Sequence, residues 1–467
     1  MSNLAVVGAG AGGLSAALLA QSAGLRTTLF EAHQIPGGCA SWFKRGAFSF
    51  DAGATTLSGI GPGRPLTQWS ELTGAPLAVI AADPGLVFHL PGKTFYRWRD
   101  SERWQSELAR VFPRLDHKKF WRDIETLAER SWDFLPYVDG FPPTSLRDLR
   151  HAPAWLKGTT LLPYLLHDLE TFRRMRQGES AELSRWLNAL CMISAQNVAP
   201  QVPALIGALA LTYPSETYVP RGGMQGLFEG WLKHFQSLGG EWRPGEKIDD
   251  LQKLQQDYGH VVMNTTSWSL EKMLELHPTS QNAWGAFTLY AGVRLQTPQT
   301  HAYHLVMPAE GSGVDDYFVS FSIPEDLARA PSGWQTVTIS QHTREESWYG
   351  MPTEEYRARK AARLQQVWAH FLTEFPGVLE QKFLQAGTPK TFERYTHRPF
   401  GRVGGHPHAW RFPLWRWPSS RRRDDLTQLG DTVFPGQGIV AVVNGALSWW
   451  RGSGLHPDLK RHTRTQV

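Results

Sequence analysis

The chain opens with apolar and glycine-rich segments that predict a strand, a helix and a second strand. Leu4–Val7 is an apolar run without charge, which is typical of a buried parallel strand. Leu14–Ser22 has the alanine- and leucine-rich pattern of a helix that ends at Gly24, and Thr27–Phe30 predicts the second strand. This order is that of a βαβ unit, so the sequence predicts an α/β fold.

The later hydrophobic pattern predicts a helical region and a separate sheet. Predicted helices cover Ser101–Trp132 with a break at Pro113, Ala181–Ile193, the segment after Tyr218–Met224, and Glu354–Phe375. Predicted strands are a pair in Leu86–Phe95, a pair in Glu241–Ile248, and His260–Asn264, Trp284–Leu295, Tyr317–Ile323 and Trp334–His342.

A glycine-rich turn between the first strand and the first helix has the spacing of a dinucleotide-binding motif. Gly8, Gly10 and Gly13 occupy the G-x-G-x-x-G positions, and Gly12 lies between the last two. These glycines permit a tight turn, close approach of backbone to a pyrophosphate, and close packing of helix on strand. Glu31, at the end of the second strand, is placed to accept hydrogen bonds from a ribose.

Two further segments of small residues predict backbone that approaches a bound ligand. Gly37 and Gly38 offer amides without side chains, where a second anionic part of a cofactor can pass. A strand predicted over residues 46–51 is followed by a segment whose small residues let the backbone approach a flat ring. That segment contains Gly53, Ala54 and Thr55.

Near the C-terminus, a predicted strand that ends in a Gly-Asp pair is followed by a glycine turn and a predicted helix, Ile439–Trp449. Asp431 is placed to accept hydrogen bonds from the hydroxyls of a cofactor. The free amides and the dipole of the helix N-terminus stabilise negative charge. Taken alone, this segment predicts a capped helix; with the N-terminal motif it predicts a second part of the cofactor site. The turn contains Gly436, Gly438, Ile439 and Val440.

Composition and charge narrow the class of protein. A chain of 467 residues with 41% hydrophobic and 19% charged residues is typical of a globular protein with two or three lobes. Twenty tryptophans suit a long apolar ligand, a membrane–water interface or a tryptophan-rich core. The net charge of +5 is spread along the chain, which argues against a nucleic-acid partner. It is compatible with a mild attraction to anionic lipid.

The sequence predicts a cytoplasmic protein that lies on the inner face of a membrane. Cys39 and Cys191 are its two cysteines, so no disulfide framework is expected, and neither a signal peptide nor a membrane-spanning run is predicted. Two segments are candidates for lipid contact: Ala154–Met175, which is apolar with flanking arginines, and Ala409–Arg423, which is rich in tryptophan and arginine. A buried cap helix and a solvated loop are the respective alternatives. The sequence does not indicate an oligomeric state.

Four separated segments together resemble one protein family. They are the glycine motif with Pro36-Gly37-Gly38, the strand end Asp51–Thr55, Tyr218–Gly240 and Gly430–Gly445. These resemble the carotenoid desaturase and isomerase group of the FAD-dependent amine oxidase superfamily, over nearly the whole chain. Gly38-Cys39-Ala40, Asp51–Thr55 and Phe434–Gly438 are most similar to the carotenoid 3,4-desaturases, which act on the acyclic, often 1-hydroxylated, end of a carotenoid.

The resemblance implies a Rossmann-like FAD-binding domain with an inserted mixed-sheet substrate domain and a helical cap. The FAD-binding domain is expected over residues 1–75, 216–283 and 396–467, the cap region over 76–215, and the substrate sheet over 284–395. FAD is expected rather than NAD. The glycines and Glu31 would hold the ADP half, the backbone of Ile248 the adenine, and Asp431 with Gly436–Val440 the ribityl chain and ring.

The implied activity is removal of hydrogen from a carotenoid, with hydride passing to the flavin. No catalytic side chain is identified; His406 is a weak candidate to receive the proton. Cys39 stands where many phytoene desaturases have arginine, which argues against phytoene as the substrate. The alternatives on the same fold are a carotene cis–trans isomerase, a saturase, an amine oxidase and a prenyl-binding escort protein without redox chemistry.

Overall fold

The computed structural model describes residues 3–143, 146–276, 283–410 and 417–455. The strands are β1 (Leu4–Val7), β2 (Thr27–Glu31), β3 (Trp42–Arg45), β4 (Phe48–Asp51), β5 (Val79–Ala81), β6 (Leu86–Leu90), β7 (Lys93–Arg97), β8 (Tyr218–Pro220), β9 (Glu241–Pro244), β10 (His260–Met263), β11 (Trp284–Leu295), β12 (Tyr303–Val306), β13 (Tyr317–Phe321), β14 (Gln335–Thr343), β15 (Val378–Gly387), β16 (Arg402–Val403), β17 (Arg421–Arg423) and β18 (Leu426–Gln428). The helices are α1 (Ala11–Ser22), α2 (Pro65–Thr73), α3 (Ser101–Val111), α4 (His117–Phe134), α5 (Ala152–Trp155), α6 (Leu169–Gln177), α7 (Ala181–Ala195), α8 (Ala204–Thr212), α9 (Gly223–Ser237), α10 (Leu251–Asp257), α11 (Ser267–Met273), α12 (Thr353–Glu374), α13 (Pro389–Thr396) and α14 (Ile439–Ser453).

The first sheet is Rossmann-like and is assembled from three distant parts of the chain. Its order is β17-β18-β10-β1-β2-β9, and all neighbours are parallel except β17 and β18. Its inner strands, β18, β10, β1 and β2, are mostly buried because helices cover the sheet, and α1 packs against both α9 and α14. The α/β prediction is confirmed.

The second sheet is mixed and mostly antiparallel. Its order is β15-β11-β14-β13-β12-β6-β7, with β16 paired to the end of β11. The one parallel pairing among its neighbours joins β12 to β6, so the strand pair of residues 86–97 extends a sheet whose other strands come 190 or more residues later. Helix α12 covers one face through Val367, Trp368 and Phe371.

Helices α3, α4, α6, α7 and α8 form a cap over this sheet. At the centre of this cap, three indole rings contact one another edge to face or at a tilt, with ring centroids 5.1–6.1 Å apart. They belong to Trp104, Trp121 and Trp186. All three are fully buried, so these tryptophans serve a core rather than a lipid surface. Mixed sheet and helical cap are present as predicted, while the domain boundaries stay a prediction.

Three sequence-based predictions differ from the structure. Glu241–Ile248 forms one short strand, Glu241–Pro244, because Gly245 has φ +73° and turns the chain away. Within Ala154–Met175, where a helix is expected at least beyond Pro163, the α-helix α6 begins only at Leu169, and Leu156–Leu165 is a 3-10 helix that contains Pro163. The last strand before α14 ends at Gln428, not at the Gly-Asp pair. Within the described residues, no helix is long and apolar enough to cross a membrane. Residues 411–416 of the predicted segment Ala409–Arg423 lie outside the described part.

Candidate active site

A cavity of about 2150 Å³ lies between the Rossmann-like sheet, the second sheet and the cap. It is lined by every residue that the sequence predicts for cofactor binding except Gly13 and Gly436. Glu31 and Asp431 therefore share one continuous space, although 400 residues separate them along the chain.

The glycine loop is built for backbone contact. Gly8 has φ +96°, and a Cβ on Gly13 would lie 2.0 Å from the carbonyl oxygen of Gly8, so α1 can pack on β1 only without a side chain there. Gly10 pairs with Gly37 in a short bridge, which brings the two glycine segments side by side at the cavity wall. The amides at the start of α1 thus have no side chain between them and the cavity, as a pyrophosphate site requires.

Asn264, directly after β10, covers the same loop from the neighbouring strand. Its Nδ2 donates to the carbonyl oxygen of Gly8 at 3.2 Å, and its side chain would be 2.8 Å from a Cβ on Gly10 or Gly12. The sequence analysis missed this residue. A signal was available, because the carboxyl ends of adjacent parallel strands meet at one sheet edge.

Glu31 lies at that sheet edge beside the loop. Its carboxylate accepts hydrogen bonds from the backbone N–H of Ala9 at 2.7 Å and of His33 at 2.9 Å. The carbonyl oxygen of Glu31 accepts from the N–H of Glu246, so the segment that leads to Ile248 runs alongside it. Ile248 is half-buried and lines the same end of the cavity.

Asp51 lies beneath the cavity and has a structural role. Its carboxylate accepts from Arg329 Nη1 at 2.7 Å and from the backbone N–H of Met224 at 2.8 Å, so it joins β4 to the start of α9. Burial raises the pKa of Asp51, and Arg329 partly offsets that rise. The strand end that follows, with Gly53, Ala54 and Thr55, forms part of the cavity wall.

Asp431 is paired with Arg398 at the cavity wall. Arg398 Nη2 donates to Asp431 Oδ1, and its Nη1 donates to the carbonyl oxygen of Arg402 at 3.1 Å. Burial lowers the pKa of Arg398, but the charge of Asp431 raises it overall, so its cation persists. Burial raises the pKa of the Cys39 thiol against the opposing effect of Arg398, and the thiol stays protonated.

The N-terminus of α14 points at the cavity. Its N-cap, Gly438, has φ +90°, and Ile439 and Val440 line the wall beside it. Gly436 does not line the cavity; it has φ +113° and packs on Trp417, where a Cβ would lie 3.0 Å from the indole ring. Gly436 therefore shapes the turn that leads into α14 from the side away from the cavity.

The far part of the cavity is bounded by the cap and the second sheet. Its apolar wall consists of Trp132, Leu135, Ala189, Met192, Ile193, Ile206, Leu209, Leu305 and Phe318. Tyr213 and Glu216, on a 3-10 turn after α8, lie in the same wall. Neither was predicted from the sequence, because a cap that packs on a nucleotide lobe brings together residues with no common motif.

Three buried histidines, two in the cavity wall and one behind it, are neutral. Burial lowers the pKa of His406, of His408 and of His342 to about 4 in each case. His408 and His342 line the cavity, whereas His406 lies behind it, with its ring 5.2 Å from that of Trp268. The weak prediction that His406 receives a proton therefore finds no support in its position.

Comparison with known proteins agrees with this architecture. A family model described as an NAD(P)-binding Rossmann-like domain matches residues 6–71. A chloroplastic prolycopene isomerase from Arabidopsis thaliana is 26% identical over 94% of this chain and 80% of its own length. A lycopene-forming phytoene desaturase from Pseudescherichia vulneris is 25% identical over 70% of this chain and 71% of its own.

The overall fold also has a counterpart among solved structures. An oxidoreductase from Methanosarcina mazei superposes with a TM-score of 0.64 at 16% identity, over 96% of this chain and all of that one. The fold, the glycine site and these relatives together place the chain among enzymes with a dinucleotide or flavin cofactor. Over most of its length the chain is similar to carotenoid isomerases and desaturases, and its fold is consistent with that group of enzymes.

Proposed function

We propose that the protein is an FAD-dependent carotenoid desaturase that introduces a double bond of the 3,4 type near the acyclic end, with or without a 1-hydroxyl group, of its substrate. The observation that carries this proposal is the single cavity that joins the glycine loop to the apolar cap wall. Its volume, about 2150 Å³, is twice the upper size of about 1000 Å³ for a site that holds one small molecule. A dinucleotide and a long apolar substrate can share it.

The residues present fit FAD. Gly8, Gly10 and Gly12 with the amides of α1 would hold the pyrophosphate, and Gly37 and Gly38 would flank it, because all five glycines line the cavity and Gly10 pairs with Gly37. Glu31 and the backbone of Ile248 would hold the adenosine. The remaining contacts are assigned to Asp431, Gly438, Ile439 and Val440, to Gly53, Ala54 and Thr55, and to Gly436 through the turn that it shapes.

When bound, the flavin supplies a two-electron acceptor for hydride. The chain itself binds the carotenoid, orients it along the apolar wall and excludes water from the cavity. The amides and dipole of α14 would stabilise negative charge beside its N-terminus.

Product mass tests this proposal. Purified protein would be incubated with FAD and candidate hydroxylated acyclic carotenoids in liposomes. A product that is lighter by two hydrogen atoms and absorbs at longer wavelength supports desaturation, with a reaction that lacks FAD as the control. Complete recovery of every substrate unchanged would refute it.

A carotenoid cis–trans isomerase is the second candidate. The match to the Arabidopsis prolycopene isomerase covers 94% of this chain, against 70% for the Pseudescherichia desaturase. In the same incubation, a product of unchanged mass with altered absorption and chromatographic retention would favour the isomerase.

We also propose that the cap lies on the cytoplasmic face of a membrane. Leu156 and Leu162 in its 3-10 segment and Leu166 directly after it are 50–66% exposed, and Lys157 lies among them. Sedimentation with vesicles of neutral or anionic lipid tests this proposal. Leu162→Ser/Leu166→Ser should release the protein from the vesicles, and unchanged binding would contradict the assignment of this surface.

A further inference from the structure

We propose that Glu216 is the base that accepts the substrate proton. Its carboxylate lies in the apolar cavity wall, on the cap side of the residues that are predicted to contact the flavin ring. This inference rests on the proposed function, because it assigns the proton that desaturation must remove.

Glu216 is positioned by the contacts that join the cap to the Rossmann-like part. The hydroxyls of Tyr213 and Thr56 are hydrogen-bonded, and Leu57 and Tyr218 pair through their backbones. The 3-10 turn Tyr213–Glu216 is thereby held against the segment that follows Thr55. Glu216 therefore faces the cavity close to the strand end assigned to the cofactor ring.

Arg64 holds the carboxylate in place. Its Nη2 donates to Glu216 Oε1 at 3.0 Å and to Glu129 Oε1 at 2.8 Å, and its guanidinium stacks over the ring of Trp132 at 4.8 Å. A carboxylate with a fixed oxygen on one side and an apolar wall on the other is oriented toward whatever fills the cavity.

Burial makes Glu216 a better base than the neighbouring histidines. Burial raises the pKa of Glu216, and Glu129 adds to this, while Arg64 and Arg99 oppose it. Arg97, at the end of β7, is a further cation facing the same carboxylate. The same desolvation lowers the pKa of His342 and His408 to about 4, which makes them poor proton acceptors.

Other groups in the wall are less suited to the role. Burial raises the pKa of Tyr213 to about 12, so its hydroxyl stays protonated and can only position its neighbours. Asp316 is more exposed than Glu216, 36% against 21% of the side chain, and is paired with Arg185 beside the exposed loop of residues 309–315.

The step is balanced as follows. One C–H bond of the CH–CH unit breaks, and its electron pair leaves as hydride to the oxidised two-electron acceptor of the proposed function. The C–H bond on the adjacent carbon breaks, its electron pair forms the new double bond, and its proton passes to the carboxylate of Glu216. The protonated acid then returns the proton to water as product leaves.

Glu216→Gln tests the assignment, because the amide oxygen still accepts from Arg64 and the turn should stay in place. We expect kcat to fall at least 100-fold, with KM for the carotenoid and the absorbance of bound FAD unchanged. Wild-type kcat should fall on the acid side as Glu216 takes up a proton, and this limb should vanish in the variant. Glu129→Gln is the matched control: it alters the same arginine, but Glu129 is 61% exposed and outside the cavity.

Glu216→Ala with added formate gives a second measurement. Recovery of turnover as formate is raised supports a missing base, which a merely structural role would not produce. Turnover of Glu216→Gln within twofold of the wild type, with the acid limb intact, would overturn the role of Glu216 and leave the desaturase standing. Wild-type protein that converts no carotenoid would overturn both.

Discussion

Replacing Arg329 should destabilise the protein far more than replacing a surface arginine. Arg329 and Asp51 are 8% and 5% exposed, and Arg329 also donates to the carbonyl oxygen of Ser49 at 2.8 Å and to Thr336 Oγ1 at 3.2 Å. Arg329→Met leaves the Asp51 carboxylate buried without its cation. Removal of one partner of a buried ion pair costs about 3–5 kcal/mol in the free energy of unfolding.

Pulse proteolysis in urea would measure this cost, because it reports the unfolded fraction without requiring one cooperative transition for every lobe. Arg357→Met is the control, since Arg357 and Glu354 form an exposed pair, and a loss below about 0.5 kcal/mol is expected. Asp51→Asn/Arg329→Met should recover part of the loss, because the double variant buries no unpaired charge.

The dependence on pH gives a further check. Burial raises the folded-state pKa of Asp51, and loss of Arg329 raises it more, so folded protein binds this proton more tightly than unfolded protein does. Stability from that proton is present at low pH and lost as pH rises through the folded pKa. The defect of Arg329→Met should therefore be smaller at pH 5 than at pH 8. A loss no larger than that of Arg357→Met at both pH values would refute the reasoning.

Three further predictions concern the cofactor site and acid stability. Gly13→Ala should abolish retention of FAD on purification, since its Cβ would meet a carbonyl oxygen at 2.0 Å, whereas Gly230→Ala has its nearest outside contact at 3.7 Å and should retain it. Asp431→Asn should bind FAD about 10–100-fold more weakly in a fluorescence-quenching titration, and unchanged affinity would remove this residue from the site. Burial lowers the pKa of His304 to about 3, with His89 beside it at 3.0 Å, so unfolded protein binds the proton better and stability should fall as pH drops below 6.5. The cost from His304 at pH 5 is about 2 kcal/mol, and His304→Gln should lose this part of the pH dependence of the urea midpoint, while the part due to His342, His406 and His408 remains.

Local sequence patterns predicted those helices and strands whose type is determined by their own residues. β1, α12 and the long strand β11 have apolar periods that their own residues define, and the structure has each within a residue or two. The strands β12 and β15 were missed. β15 lies at the edge of the sheet, with mostly exposed or half-buried residues that give no clear period, and β12 has only four residues.

The residues of the candidate site also divide into those that a local sequence pattern predicted and those that it did not. The glycines and Glu31 were predicted because one βαβ unit carries both the turn and the acid. Arg398 and Glu216 were not, because each acquires its role from a partner more than 30 residues away, Asp431 and Arg64 respectively. Pairings of this kind depend on how cap and sheets come together, and no local period encodes them.

The three-part origin of the Rossmann-like sheet has a consequence for biosynthesis. β10 joins β1 to β18, so the strands on that side of the sheet, β18 and the edge strand β17, leave the ribosome about 420 residues after β1. At about 5–20 residues per second, the nascent chain waits about 20–80 s with an open, apolar strand edge. A cofactor that needs both Glu31 and Asp431 is therefore expected to bind only after synthesis is complete, and a chaperone that shields the growing polypeptide should raise the yield of folded protein in a heterologous host.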